Sequence, residues 1–185
     1  LSAVRVLEAE ALAGIEGTTP KAAKAAAVSA AKALGEVIAD YPNHPRIGLL
    51  RLEHARELVR AGKRKDAAAL LRRIAIERGG EPESAAAFGE LQALAASDRK
   101  IKASPLGVGE RLEQAKHARS LRRVLASRTI LDEIIADPKV SAGLRRQARR
   151  SRAWTATKQR DWETCVEDLR VLAEAGAGDR SQLLG

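Results

Sequence analysis

Four stretches of the chain repeat one spacing of apolar positions. Each begins with a small residue, followed by Leu four residues later and by Val, Ile or Leu seven residues later. The sets are Ala30, Leu34 and Val37; Ala67, Leu71 and Ile74; Ser127, Leu131 and Ile134; and Cys165, Leu169 and Leu172. Positions i, i+4 and i+7 lie on one face of an α-helix, so the spacing predicts four similar helices, each with one buried face. Successive sets begin 37, 60 and 38 residues apart, which indicates an internal repeat.

A second group of small residues predicts a partner helix for three of these helices. Alanine stands twelve residues before the small residue of the last three sets, at Ala55, Ala115 and Ala153. The segment Arg-Leu-Glu-His-Ala at 51–55 also recurs as Arg-Leu-Glu-Gln-Ala at 111–115. Small residues allow the two helices of a hairpin to approach closely. The chain is therefore predicted to be all-α, an α-solenoid of stacked helical hairpins.

Turn and capping residues divide the chain into elements. A helix is predicted over 2–15, and Thr19 before Pro20 predicts the N-cap of the next helix, which runs to about Asp40. Further helices are predicted over 81–97, 141–158 and 161–175, with Gly176 and Gly178 ending the last one. The predicted organisation is N-terminal hairpins at 1–97, a break rich in Pro and Gly at 98–109, C-terminal hairpins at 110–176 and a polar tail at 177–185. We expect these parts to form one continuous solenoid.

Composition agrees with a core of small and branched aliphatic side chains. Hydrophobic residues make up 45% of the 185 residues, aromatic residues make up 2%, and Met is absent. Such a core suits closely packed helices better than a β-sandwich. No apolar stretch approaches the roughly 18 residues of a membrane span, so no span is expected. The single Cys excludes an internal disulfide, and its place in the small-residue slot favours packing over nucleophilic chemistry.

Residues that could carry catalysis or hold a cofactor do not form a recognised pattern. His44, His54 and His117 lack the spacing of metal ligands, and no Gly-rich loop precedes a helix as a phosphate site would require. Two acid pairs are adjacent in helices, where neighbouring side chains diverge, and we expect both pairs to be solvated. These are Asp132 with Glu133 and Glu167 with Asp168. We therefore expect no catalytic residues, no metal and no cofactor.

Three turn residues give the hairpins a resemblance to a known repeat. Gly62, Trp162 and Pro42 each occupy a place where the tetratricopeptide (TPR) repeat has a glycine, an aromatic residue or a proline. With the small residues of both helices, this pattern resembles a degenerate TPR. The resemblance implies a right-handed superhelix whose ligand surface is lined by the first helix of each hairpin.

Four longer segments resemble a more particular family. They are Ile-Ala-Asp-Tyr-Pro-Asn-His-Pro at 38–45, Ala-Gly-Lys-Arg-Lys-Asp-Ala-Ala at 61–68, Arg-Leu-Glu-Gln-Ala at 111–115 and Ala-Asp-Pro-Lys-Val-Ser-Ala-Gly-Leu-Arg-Arg-Gln-Ala at 136–148. They resemble the N-terminal α-superhelical domain of soluble lytic transglycosylases. This resemblance implies a periplasmic location and contact with peptidoglycan, whereas a TPR-like adaptor would also suit the cytoplasm.

The catalytic pattern of that family is not found in this sequence. That pattern has a Glu-Ser acid/base, a Gly-Leu-Met-Gln element and a Tyr-Asn pair, and the last two have no counterpart here. The only Glu-Ser pair, Glu83 and Ser84, follows Pro82 in a first helical turn, where an acid is expected to favour the helix dipole. We therefore expect the chain itself to be non-catalytic.

Charge gives the remaining indication of function. The formal net charge is +9, but 24 acidic residues are interspersed with 33 basic ones, and aromatic residues for base stacking are scarce. This mixture disfavours nucleic acid as a partner. Five arginines lie within eight residues, at Arg145, Arg146, Arg149, Arg150 and Arg152. They form either a solvated helix face or one wall of an anion-binding groove.

The TPR resemblance allows candidate groove residues to be named. They follow the small residue of each first helix or lie one turn to either side of it: Arg56, Arg60, Lys116, Arg119, Gln147, Arg150, Trp154, Thr157 and Lys158. This lining would be basic, with one aromatic ring. The leading hypothesis is a non-catalytic binding or scaffold module, the superhelical part of a periplasmic peptidoglycan lytic transglycosylase. The alternative is a stand-alone TPR-like adaptor for an acidic peptide or partner protein, and a nucleic-acid-binding helical protein ranks third.

Overall fold

The computed structural model describes residues 19–182, including the side chains of residues 19–175. Within that range the chain forms eight α-helices and no strand, so the all-helical prediction is confirmed. The helices are α1 (Pro20–Asp40), α2 (Ile47–Arg60), α3 (Arg64–Glu77), α4 (Pro82–Ser97), α5 (Val108–Ser120), α6 (Val124–Ala136), α7 (Ala142–Gln159) and α8 (Trp162–Gln182). The helix predicted over 2–15 lies outside the described residues.

The cap predicted at Thr19 is confirmed, whereas the helix end predicted at Gly176 and Gly178 is an exception. The Thr19 side chain accepts a hydrogen bond from the Ala22 N–H at 3.2 Å, and Pro20 is the first helical residue. The exception is the end of α8, which continues through Gly176 and Gly178 to Gln182. Glycine inside a helix costs only about 1 kcal/mol relative to alanine, and no proline follows to break the helix.

One backbone turn occurs three times at the spacing of the repeat. Gly62, Arg122 and Arg160 all have left-handed backbone conformations, with φ of 82°, 60° and 58°. The residue after each donates its N–H to a carbonyl five residues back: Lys63 to Leu58 at 2.8 Å, Arg123 to Ala118 at 2.8 Å and Asp161 to Ala156 at 3.0 Å. This is the hydrogen bond of a Schellman helix end. The same turn therefore joins α2 to α3, α5 to α6 and α7 to α8.

This shared turn predicts opposite effects of exchanging glycine and arginine. The left-handed conformation costs a residue with a Cβ about 1–2 kcal/mol, and glycine avoids that cost. Gly62→Arg should therefore lower the free energy of unfolding by about 1–2 kcal/mol. Arg160→Gly should raise it by about 0.5–1 kcal/mol, because the added freedom of the unfolded chain offsets part of the gain. Urea denaturation measures both, and a loss of stability in Arg160→Gly would contradict the equivalence of the two turns.

The described residues form two compact units, and unit 1 comprises 19–75 and 82–104. In it, α1 packs on α2, with Leu34 and Val37 against Leu50. Its larger core combines α2, α3 and α4 and includes Leu52, Ala55, Ala67, Leu71, Ile74, Leu91, Leu94 and Ile101. The helix over 81–97 has no place in a strict two-helix repeat. In the structure it packs against α2 and α3, as the first helix of a following hairpin would.

Unit 2 comprises residues 76–81 and 105–182. Its helices pack in sequence, α5 with α6, α6 with α7 and α7 with α8, and α5 also contacts α7. The core residues are Leu112, Ala115, Leu131, Ile134, Val140 and Ala148, beside a smaller cluster of Ala153, Ala156 and Cys165. Gly80 is required by close approach, because a Cβ there would lie 2.5 Å from the Cβ of Ala126.

The buried faces predicted from the four sets are confirmed for the first three and only in part for the fourth. Leu71 and Leu131 are 1% and 0% exposed, but Leu169 is 53% exposed. Cys165 is buried as predicted, and so are the three alanines of the partner helices. The difference has a simple cause. Each of the first three sets is covered by the helix that follows it, whereas no helix in the described part of the chain follows α8.

Candidate ligand-binding site

The structure brings five of the nine candidate groove residues together in unit 2. A cavity of about 570 Å³ is lined by Arg119, Gln147, Arg150, Trp154 and Thr157. It lies where α5, α7 and α8 meet. Its other lining residues are Ser151, Ala153, Cys165 and Leu169, so an apolar part adjoins a basic part.

The two arginines of this cavity have no carboxylate partner among the described residues. Arg119 Nη1 donates instead to the Ser151 carbonyl at 3.3 Å, to Ser151 Oγ at 3.1 Å and to Thr155 Oγ1 at 3.5 Å. Burial lowers the pKa of Arg119, because removing the guanidinium from water disfavours its charged form. Neither arginine forms an ion pair within the described residues, so a carboxylate that entered the cavity could pair with them.

The two candidate lysines of unit 2 are not among the lining residues of the cavity. Lys158 places its Nζ 5.4 Å from the centroid of the Trp154 ring, a cation–π contact on an exposed indole. Lys116 forms an ion pair with Glu113 at 3.2 Å, on the surface of α5. Lys158 therefore contributes positive charge next to Trp154, whereas the charge of Lys116 is offset by its neighbour.

The remaining two candidates, Arg56 and Arg60, line a separate cavity of about 380 Å³ in unit 1. Arg56 forms ion pairs with Glu53 at 2.5 Å and with Glu90 at 2.6 Å. Arg60 forms one at 2.9 Å with Glu57, a buried carboxylate whose pKa is raised by its burial. The positive charge expected from this part of the lining is therefore balanced by acidic residues.

The two cavities occupy the same place in the repeat. Arg56, Val59 and Leu71 line the cavity of unit 1, and the residues 98 positions later, Trp154, Thr157 and Leu169, line the cavity of unit 2. The two cavities differ on the side that α4 occupies in unit 1. In unit 1, α4 closes the cavity with Glu90, Ala93, Leu94 and Ser97. In unit 2, no described helix takes that position, and Leu169 remains exposed.

The five-arginine segment of α7 proves to be neither a solvated face nor a single groove wall. Arg145 Nη2 donates to the carbonyls that follow α6, at Asp137 (3.2 Å), Pro138 (3.4 Å) and Val140 (2.9 Å). Arg149 and Arg152 point to a buried acid on α8, and Arg150 lines the cavity. The arginines of this segment therefore have different partners.

That buried acid is Asp168, and the prediction that it is solvated is wrong. Its side chain is 0% exposed. Arg152 donates from Nε to Oδ2 and from Nη2 to Oδ1, both at 2.7 Å, and Arg149 Nη1 donates to Oδ1 at 3.0 Å. Arg152 also bonds Asp132 at 2.7 Å, so this acid is paired as well. Hydrogen bonds to Asp168 are the main reason that the pKa of Arg152 is raised.

A signal for this network was present in the sequence. Asp168 stands three residues after Cys165, on the face of α8 that was predicted to be buried, while Arg149 and Arg152 lie three apart on α7. A carboxylate on a buried helix face requires a cationic partner, and arginine is the usual one. The network joins α7 to α8 beside the cavity.

Glu83 and Ser84, the pair considered for catalysis, lie at the start of α4. Ser84 is buried, and its Oγ donates to the Ala75 carbonyl at 2.6 Å, while Glu83 lies in the first turn of α4 as expected. Residues 19–175 contain no group of His, Cys, Asp or Glu side chains that could hold a metal ion. No helix of the described part is long and apolar enough to cross a membrane.

Comparison with known proteins gives no relative for this chain. No protein-family model matches it. No curated protein and no solved structure matches it at a significant level.

Proposed function

We propose that this chain is a non-catalytic helical-repeat binding module, whose hairpins stack as in a TPR-like α-solenoid. Its ligand site is the cavity of unit 2. The observation that carries the proposal is the convergence of Arg119, Gln147, Arg150, Trp154 and Thr157 on one cavity of about 570 Å³. Ligand pockets in proteins typically have volumes of roughly 300–1,000 Å³ and combine apolar walls with a few polar groups.

The ligand that fits this cavity best is an acidic peptide segment of a partner protein with at least one apolar side chain. Arg119 and Arg150 can pair with a carboxylate, and arginine does so with two parallel hydrogen bonds. Ala153, Cys165 and Leu169 supply the apolar wall. The partial burial of Arg119 lowers the local dielectric, which strengthens an ion pair formed there. This supports the adaptor function.

A second candidate ligand is the glycan of peptidoglycan, as the superhelical part of a periplasmic lytic transglycosylase would require. The exposed indole of Trp154 favours it, because a flat aromatic face suits a sugar ring, and Gln147 and Thr157 provide neutral polar groups beside that ring. This candidate implies the periplasm, whereas the adaptor also suits the cytoplasm.

Two binding assays with matched variants distinguish these ligands. The chain is tested against an array of peptides that vary in acidic and apolar residues, and by co-sedimentation with purified peptidoglycan. We expect acidic–apolar peptides to bind, and Arg150→Glu to weaken them about tenfold or more, since a charge-assisted hydrogen bond contributes roughly 1.5–3 kcal/mol. Arg170→Glu is the control, because Arg170 is an exposed residue of α8 that pairs with Glu174. It should change binding less than twofold.

Other outcomes would change or remove the proposal. Binding to peptidoglycan that Trp154→Ala abolishes and Arg150→Glu leaves intact would favour the glycan. Release of soluble glycan fragments by the homogeneous chain would contradict a non-catalytic role. Duplex DNA binding that weakens by about 10³-fold between 50 and 200 mM salt would indicate a phosphate-driven nucleic-acid function instead. Binding that no cavity variant alters would show that the cavity is not the site.

A further inference from the structure

The apolar face of each earlier repeat helix is covered by the helix that follows it in the chain. The leucine of each set shares a core cluster with a residue of the following helix: Leu34 of α1 with Leu50 of α2, Leu71 of α3 with Leu94 of α4, and Leu131 of α6 with Ala148 of α7. All three leucines are almost fully buried. The repeat thus has a structural rule, in which a helix lies across each set of small and apolar positions.

On α8, a face that shares Leu169 with the fourth set is apolar and uncovered within the described part of the chain. Trp162, Val166 and Leu169 lie at i, i+4 and i+7, so they share one face of α8, and each is more than half exposed. Trp154 of α7 is also exposed and lines the cavity together with Leu169. Contiguous exposed apolar side chains of this kind mark interaction sites in soluble proteins. We call these four residues the α7/α8 surface.

We propose that the α7/α8 surface binds an amphipathic α-helix of a partner protein, with a carboxylate one turn from its apolar side chain. This helix would lie on α7 and α8 as α4 lies on α2 and α3. The inference rests on the proposed function, because the cavity of unit 2 is part of this surface. It adds that the bound segment is helical.

The contacts of α4 in unit 1 indicate which side chains a partner helix would carry. In unit 1, Glu90 of α4 forms an ion pair with Arg56, and Leu94, four residues later, shares the core cluster and the cavity lining with Leu71. Ninety-eight residues later, Leu169 takes the place of Leu71, but Trp154 takes that of Arg56. The positive charge of the second cavity comes instead from Arg150, one turn before Trp154, and from Arg119. A helix with Glu at i and Leu at i+4 therefore meets an apolar wall with positive charge nearby.

Spacing is the reason to expect a helix rather than an extended segment. Side chains at i, i+4 and i+7 form a ridge along α8, and such ridges pack into the grooves of a second helix. An extended peptide presents alternate side chains to one side about every 7 Å, which does not match the repeat of α8. The covering elements of the earlier repeats, α2, α4 and α7, are all helices.

The chain supplies its own probe for this experiment. A fluorescent peptide of residues 82–97, Pro-Glu-Ser-Ala-Ala-Ala-Phe-Gly-Glu-Leu-Gln-Ala-Leu-Ala-Ala-Ser, is stapled as a helix through positions 85 and 89, which are exposed in α4. Its binding to the full chain is measured by fluorescence anisotropy. We expect Leu169→Asp to weaken binding at least tenfold, because burial of a leucine side chain is lost. Leu125→Asp is the matched control, since Leu125 is an exposed leucine of α6 that does not line the cavity, and binding should change less than twofold.

Three further variants test the contribution of charge and check that the effect of Leu169→Asp is not caused by misfolding. Glu90→Lys in the peptide should weaken binding, and Arg150→Glu in the chain should restore part of that loss. Val166→Asp should act like Leu169→Asp, and circular dichroism confirms that both variants remain folded. If the peptide binds equally to Leu169→Asp and to the unaltered chain, the α7/α8 surface is not the site.

The helical form is tested by an unstapled peptide with Gly89→Pro, which keeps Glu90 and Leu94 but breaks the helix. If this peptide binds as tightly as the stapled one, the helical inference is wrong and the proposed function stands. The same conclusion follows if neither form binds while a peptide from the array does. If the peptide array also gives no ligand, both the helical inference and the proposed function are wrong. A dimer that Leu169→Asp dissociates would assign the surface to a second copy of the chain and overturn the proposal.

Discussion

Replacement of Asp168 by alanine should lower the free energy of unfolding by about 3–5 kcal/mol, a large effect for a single substitution. The carboxylate is completely buried, and all its hydrogen bonds come from Arg149 and Arg152. Its removal would leave two guanidinium groups in the contact between α7 and α8, and Arg152 would keep only Asp132 as a partner. An uncompensated buried charge costs much more than the loss of an exposed ion pair.

The matched control for this substitution is Glu174→Ala. Glu174 forms an ion pair with Arg170 at 3.0 Å on the same helix, but both side chains are exposed, so its loss should cost at most about 0.5 kcal/mol. Urea denaturation followed by circular dichroism measures both variants. Equal costs for the two substitutions would show that the Asp168 network does not hold α7 and α8 together.

The three equivalent leucines Leu71, Leu131 and Leu169 should respond unequally to truncation. Leu71→Ala and Leu131→Ala should each cost about 2–5 kcal/mol, because each removes buried side-chain volume and leaves a cavity. Leu169→Ala should cost about 1 kcal/mol or less, because half of this side chain is already in contact with water. The sequence gives all three the same position in the repeat, so the contrast measures the effect of the covering helix.

The measurement is urea denaturation of the three variants, with Leu125→Ala as an exposed reference on α6. Leu125 is 74% exposed and should be nearly neutral. A cost at Leu169 as large as that at Leu131 would mean that the face of α8 is covered in solution. That result would also remove the basis for a free α7/α8 surface.

Helix positions were predictable because their signals are local. The i, i+4, i+7 spacing and the caps at Thr19 and Gly62 depend only on nearby residues, and the structure confirms the helices they predicted in the described range. The exposure of Leu169 was not predictable in this way, because it depends on whether another helix covers it. The left-handed turns at Arg122 and Arg160 were also not predictable, because glycine is the usual residue in that conformation and both positions hold arginine.

The sequence pattern grouped some of the cavity residues but did not predict their charge partners. The repeat placed Arg150 and Trp154 on one face of α7 and Arg119 at a nearby register of α5, because equivalent positions of a repeat share one direction. It did not predict that Glu90 pairs with Arg56, since this acid is supplied by a helix distant in sequence. The position of Asp168 three residues after Cys165 indicated a buried face, but its pairing was missed because its arginine partners lie on another helix.

Both tryptophans of the chain, Trp154 and Trp162, lie in unit 2, whereas unit 1 contains the only tyrosine and the only phenylalanine, Tyr41 and Phe88. Indole emission excited at the red edge of its absorption therefore reports on unit 2 alone. A ligand in the cavity would exclude water from the Trp154 ring and shift its emission to the blue, with Trp162→Phe isolating that signal. The same emission, compared with far-ultraviolet ellipticity during denaturation, distinguishes the unfolding of unit 2 from that of the whole chain without any attached label.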